Sequence, residues 1–197
     1  MKIEEARKIY STQIQSYREQ HMLLSKQKQE LDKKISSVEN GKELFAEEAA
    51  TLELTIQAVD DKQAEYQAYM EDLMEQWSAK ANMVVAEQQG EAMEKYAKDM
   101  VKIMEVARRL MKGAIVPYQD EKRLMEYSME LYQAAKNMGA IAQQKEKEKY
   151  DSLWDEEDEG LPECEDPIET ANNTEVVEAG PEIVDVADAI ASAMSNM

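Results

Sequence analysis

The chain has 197 residues, 42 of them acidic and 23 basic, for a net charge of −19, with one cysteine and one histidine. A lone cysteine excludes a disulfide framework within the chain, and a single histidine leaves no usual zinc, di-iron or triad constellation. The acidity argues against nucleic acid as a partner, because binding the phosphate backbone needs a basic face.

Six glycines and four prolines are few breakers for this length. Glu, Lys, Gln, Ala, Met and Leu dominate, and no alternating apolar run is bounded by turns, so the expected fold is all-α. The charge is segregated. Residues 2–149 hold all 23 bases against 27 acids, a net of −4, while residues 150–197 hold 15 acids and no base. This divides the chain into a helical coiled-coil body, 1–149, and a disordered acidic C-terminal tail, 150–197. The first residues, MKIEEARKIYS, lack the apolar core of a signal peptide, and no run approaches the roughly 20 apolar residues that span a bilayer. The expectation is a cytoplasmic protein with no membrane partner.

The first helix is expected over 3–38. Ile3, Tyr10, Tyr17, Leu24, Leu31 and Val38 recur every seven residues, with a more polar companion stripe of Arg7, Ile14, His21, Lys28 and Ile35. Asn40-Gly41 follows, a strong turn signal. Val38 and Phe45 are nonetheless seven apart, which an uninterrupted helix would also give. The antiparallel hairpin is the favoured reading, because two arms of equal length bury both seams without a partner.

The second helix is expected over 44–112. Phe45, Leu52, Val59, Tyr66 and Leu73 form one stripe, and Ala49, Ile56, Met70 and Trp77 the other, with Gln63 in the remaining slot. The pattern slips near 81–85 and resumes as Met93, Ala97, Met100, Met104, Ala107 and Met111. Ten of the fourteen methionines lie between Met70 and Met138. Such a stripe serves either as ordinary core or as an adaptable groove for a client helix. Arg108, Arg109 and Lys112 suit the negative end of the helix dipole before Gly113.

Pro117, Asp120 and Glu121 open a third helix, expected over 118–149. Its face is Leu124, Leu131, Ala135, Met138 and Ala142, widened by Met125, Tyr132 and Ile141, and Lys145, Lys147 and Lys149 close it. Beyond it, Asp155 to Gly160 with Asp166 loosely follows a calcium-loop spacing, but Pro162 interrupts it and a solvated acidic tract is the simpler reading.

Two places in the tail are candidates for binding a partner. Leu153 and Trp154 sit beside the acidic run like a short docking motif. Ile183, Val186, Ile190 and Met194 fall at helical spacing within a possible short helix, 182–194. The expected function is a non-enzymatic protein–protein interaction protein: a coiled-coil adaptor, an assembly scaffold or a chaperone-like helper. It would use no cofactor and would bind protein partners, with basic proteins and a second copy of itself, as a homodimer, the partners its charge and seam suit. The alternatives are a signal-less secreted or surface-delivered helical hairpin and an acidic mimic of nucleic acid.

Overall fold

A computed structural model describes residues 1–142, 148–154 and 164–195. Residues 143–147, 155–163 and 196–197 lie outside the described set, and with them Lys145, Lys147 and the Asp155–Gly160 acidic run. The fold is all-α, as expected. The described residues form seven helices and only two isolated β-bridges. They divide into two units, 1–84 with 165–197, and 85–164.

The first unit is the antiparallel hairpin. Helix α1 runs Ile3–Ser37, and residues 46–84 of helix α3, Ala46–Met111, return along it. Lys28 meets Glu53, His21 meets Asp60, Tyr17 meets Tyr66, and Arg7 lies over Trp77, so one number falls as the other rises. The buried stripe is Ile3, Tyr10, Tyr17, Leu24 and Leu31 from α1 and Val59, Tyr66 and Leu73 from α3.

Asn40 and Gly41 divide the work of the reversal. Asn40 takes the left-handed backbone, φ 62°, which Asn tolerates better than most residues. Gly41 permits a close approach, since a Cβ there would overlap the backbone of Ile35. It opens a single-turn helix, α2, Gly41–Leu44, which ends at Phe45 before α3 begins. Val38 therefore caps α1 in an extended conformation and is exposed rather than part of the seam. Its seven-residue spacing to Phe45 does not reflect a continuous helix.

In the second unit the last turns of α3 bury Ile103, Val106, Ala107 and Leu110 against Val116, Leu124, Ala135 and Trp154. This corrects the expected methionine seam in part: Ala107 and Met111 do belong to the packed cluster, but the rest of the stripe does not. Met93 is 74% exposed and Met104 45%, Ala97 is exposed, and Met100 is only half-buried. The true stripe is rotated by about one residue, roughly 100° around the helix. Packing decided the register: the branched side chains and small Ala107 face Leu124 and Ala135, Met111 packs at the edge of that cluster, and Met93 and Met104 are left outside.

Gly113, at φ 79°, ends α3 by a left-handed cap, with Ala114 N–H bonded to the carbonyl of Arg109. The third helix is two helices, α4 Tyr118–Tyr127 and α5 Met129–Ala142. Ser128 separates them with an extended backbone, and its hydroxyl accepts the Leu131 amide, as an N-cap does. The helix also does not reach 149. Residues 148–150 are extended and bracket Ile115 through two backbone hydrogen bonds, Ile115 N–H to Glu148 at 2.8 Å and Tyr150 N–H to Ile115 at 3.2 Å.

The acidic C-terminal segment departs most from expectation. Its described residues from 165 to 195 fold back onto the hairpin instead of trailing free. Helix α6, Pro167–Asn173, is capped by the Asp166 carboxylate, and the expected short helix appears as α7, Val186–Ser195. Between them Thr174 and Val176 bond to the first turn of the chain, Ile3 N–H to Thr174 at 2.9 Å and Val176 N–H to Met1 at 3.0 Å.

Candidate partner-binding groove

Heptad spacing puts Tyr10 and Tyr17 on the inner face of α1 and Tyr66 opposite them on α3, with Tyr69 one turn further along α3. Their rings meet at centroid distances of 4.7, 5.5 and 5.6 Å. A buried tyrosine ring carries a hydroxyl that needs a partner. Two helices offer it little, because their own carbonyls are already bonded within each helix.

An extended stretch of this same chain supplies the partners. Such a stretch has no internal hydrogen bonds, so its carbonyls need donors. Tyr69 donates to the carbonyl of Glu178 at 3.1 Å, Tyr10 to Pro181 at 2.7 Å, Tyr66 to Glu182 at 3.0 Å and Tyr17 to Val184 at 3.0 Å. The Tyr66 hydroxyl also accepts the Val184 amide at 2.9 Å, and Gln76 accepts the Val177 amide at 3.3 Å. Gly180 lies hard against the rings, where a Cβ would overlap the Tyr10 hydroxyl and the Tyr69 ring. Pro181 brings no amide that would need an acceptor.

Burial pushes the Tyr10, Tyr17 and Tyr69 phenols above their ordinary range, which keeps them protonated as donors. Among the described residues, no buried side-chain nitrogen or oxygen lacks a hydrogen-bond partner. After the ladder, α7 inserts Ala189 into the core, with Val186 and Ile190 packed beside it on the hairpin. The acids of the segment, Glu175, Glu178, Glu182, Asp185 and Asp188, are all exposed. Trp77 holds the other end, donating to Asn172 on α6 at 2.8 Å with the Arg7 guanidinium over its ring.

The second candidate, Leu153 and Trp154, is also docked on its own chain. Trp154 is 8% exposed, against an expectation of a free side chain. Its acidic neighbours in sequence suggested solvent, but the surface receiving it is cationic. Arg123 and Lys102 lie 4.8 and 5.5 Å from its ring centroid, and its indole N–H donates to Asp99 at 2.8 Å. Asp120, fully buried in the first turn of α4, accepts the Ser152 hydroxyl at 2.6 Å and the Leu153 amide at 3.1 Å.

Of the six residues expected to bind a partner, Leu153, Trp154, Val186 and Ile190 thus contact this chain itself, while Ile183 and Met194 remain exposed. Sequence reasoning missed Tyr69, Gln76, Gly180, Pro181, Asp99 and Asp120. One signal was available: tyrosines on both facing stripes imply acceptors from outside the pair. No helix among the described residues is long and apolar enough to cross a membrane. Comparisons with protein-family models, curated proteins and solved structures found no match, so the groove is read from its own geometry.

Proposed function

We propose that this chain is a non-enzymatic protein-interaction protein, an adaptor or scaffold whose hairpin groove holds a linear segment, with its own C-terminal segment as the resident occupant. The observation that carries this reading is the tyrosine ladder. Four hydroxyls from two helices bond the main chain of residues 178–184 and leave its side chains largely unread. A groove that reads backbone accepts different sequences, provided a small residue meets Tyr10 and Tyr69 and an amphipathic helix follows.

A partner segment of that form would compete with the chain's own. A tethered occupant acts at an effective concentration of about millimolar, so an outside segment binds weakly until the resident one is loosened. The test uses full-length protein and a fluorescein-labelled peptide of residues 174–195. Replacing Ile190 by Asp weakens the resident helix but leaves the groove tyrosines intact. Anisotropy should show the peptide binding the Ile190→Asp chain about tenfold more tightly than the wild type. No binding to either chain would mean that the segment is ordinary core and the groove takes no outside segment.

A further inference from the structure

Helix α3 carries an apolar stripe that its own chain does not use. Within the second unit, Ala86, Gly90, Met93, Ala97, Met100 and Met104 recur at alternating intervals of four and three, and so share one face of the helix. That face stands roughly 100° from the one that buries Ile103, Val106 and Leu110. None of the six belongs to a packed apolar cluster among the described residues. Met100 is half-buried and the other five are exposed. Tyr96 and Val101, flanking the stripe on either side, are 63% and 70% exposed. Residues 143–147 and 155–163 of the same unit hold Leu161 and Pro162 as their only apolar side chains, and so bring no stripe to cover it. An apolar seam of this length left in water marks an interface.

We propose that this chain forms an antiparallel homodimer through the 86–104 face of α3, with a second copy of itself as the occupant. Charge and shape both select that occupant. Residues 46–84 of α3 carry nine acids and two lysines, whereas residues 85–109 carry five acids and five bases, a net of zero in a chain of −19. A neutral face draws neither a basic nor an acidic partner, and it lets two copies meet without net repulsion across the seam. The side chains alternate in size. In a parallel pair Gly90 faces Gly90 and Met100 faces Met100, which sets gaps beside crowded layers. In an antiparallel pair centred on position 95, Ala86 faces Met104, Gly90 faces Met100 and Met93 faces Ala97, and three mirror layers follow by two-fold symmetry. Every layer then sets one methionine against one small residue and fills the seam evenly. Glu94 of each copy reaches Lys98 of the other, repeating across the axis the ion pair these two residues make along their own helix at 2.7 Å. This inference goes beyond the resident-segment reading and uses no residue of the tyrosine ladder.

The experiment uses full-length protein and reads its mass by sedimentation equilibrium. The wild type should show twice the mass of one chain at about 100 µM and dissociate on dilution. Ala97→Glu sets two carboxylates into the seam from an exposed position. Circular dichroism should show the helical content kept, while the dissociation constant rises about tenfold or more. Met22→Glu, on the exposed side of α1, is the control and should leave that constant within about twofold. Orientation is read by mild oxidation of cysteine variants in a Cys164→Ser background. Met93→Cys and Ala97→Cys chains, each alone, should give no disulfide-linked dimer, and an equal mixture should give one, because position 93 faces position 97 across the seam. A monomer at about 100 µM would overturn the proposal and leave the face to a different protein. A dimer that Ala97→Glu does not weaken, or that Met22→Glu weakens equally, would place the contact elsewhere and overturn it too. A disulfide formed by Ala97→Cys alone would mean a parallel pair and overturn the antiparallel register.

Discussion

Removing one oxygen atom from the middle of the ladder, by Tyr66→Phe, tests how the C-terminal segment is held. The ring of Tyr66 is fully buried and would remain in place. Its hydroxyl makes two hydrogen bonds to one short stretch, donating to Glu182 and accepting from Val184. Each bond contributes about 0.5–1.5 kcal/mol net, and an amide left unpaired in a partly buried place costs about 1–3 kcal/mol. Together these set the loss at about 2 kcal/mol, a factor of roughly 30 in the local opening equilibrium. The Val184 amide reports it directly, since its hydrogen-exchange rate should rise by about that factor while core amides of α1 stay protected. Tyr69→Phe is the internal control. Its single bond to Glu178 is exposed, water replaces it, and the cost should stay under about 0.5 kcal/mol. Equal effects of the two changes would refute the argument that the hydroxyls, rather than the rings, secure the segment.

Gly180→Ala should release the same segment at a cost of about 1–3 kcal/mol, because the added methyl overlaps Tyr10 and Tyr69, whereas Gly90→Ala on α3 meets nothing and should stabilise by about 0.5–1 kcal/mol in thermal melts. Alkali should free the segment too. The Tyr10, Tyr17 and Tyr69 phenols titrate above their unfolded value, so the stability they contribute is complete below about pH 10 and lost as pH rises through the higher folded values. Ultraviolet titration of the phenolates, run alongside exchange at Val184, should show both changes together. In the other unit, Asp120→Ala should cost about 2 kcal/mol by stranding the Ser152 hydroxyl and the Leu153 amide, read as increased Trp154 exposure in fluorescence. Hydrogen bonds from Arg108 and then Arg109 pull the Glu105 carboxyl down to about 2, so that clasp should persist below pH 4.5 and be lost only as pH falls through about 2, as carboxyl NMR would show.

The hairpin was legible because its signal is periodic and local. Tyr10, Tyr17, Leu24 and Leu31 repeat every seven residues, as do Val59, Tyr66 and Leu73, and all are buried where the spacing puts them. The methionine stripe misled because hydrophobicity alone does not choose between two faces 100° apart; Leu124 and Ala135, far along the chain, make that choice. Ser128 broke the third helix through a side-chain cap that competes with helix continuation. The acidic segment was the largest departure. Charge density predicts disorder for a chain with nowhere to bury its apolar residues, and Val184, Val186, Ala189 and Ile190 do have such a place on the hairpin. The site itself was half legible. Three of its four tyrosines stood in the seam by spacing, but their hydroxyl partners lie more than a hundred residues away in sequence.

Because the ladder grips carbonyl oxygens, the letters at Glu178, Ala179, Glu182 and Ile183 carry little of the grip. Those positions are free to drift or to be rewritten by an experimenter. A tag, a fluorophore or a recognition motif for another protein could be installed there without disturbing how the strand is held, as long as Gly180 is kept.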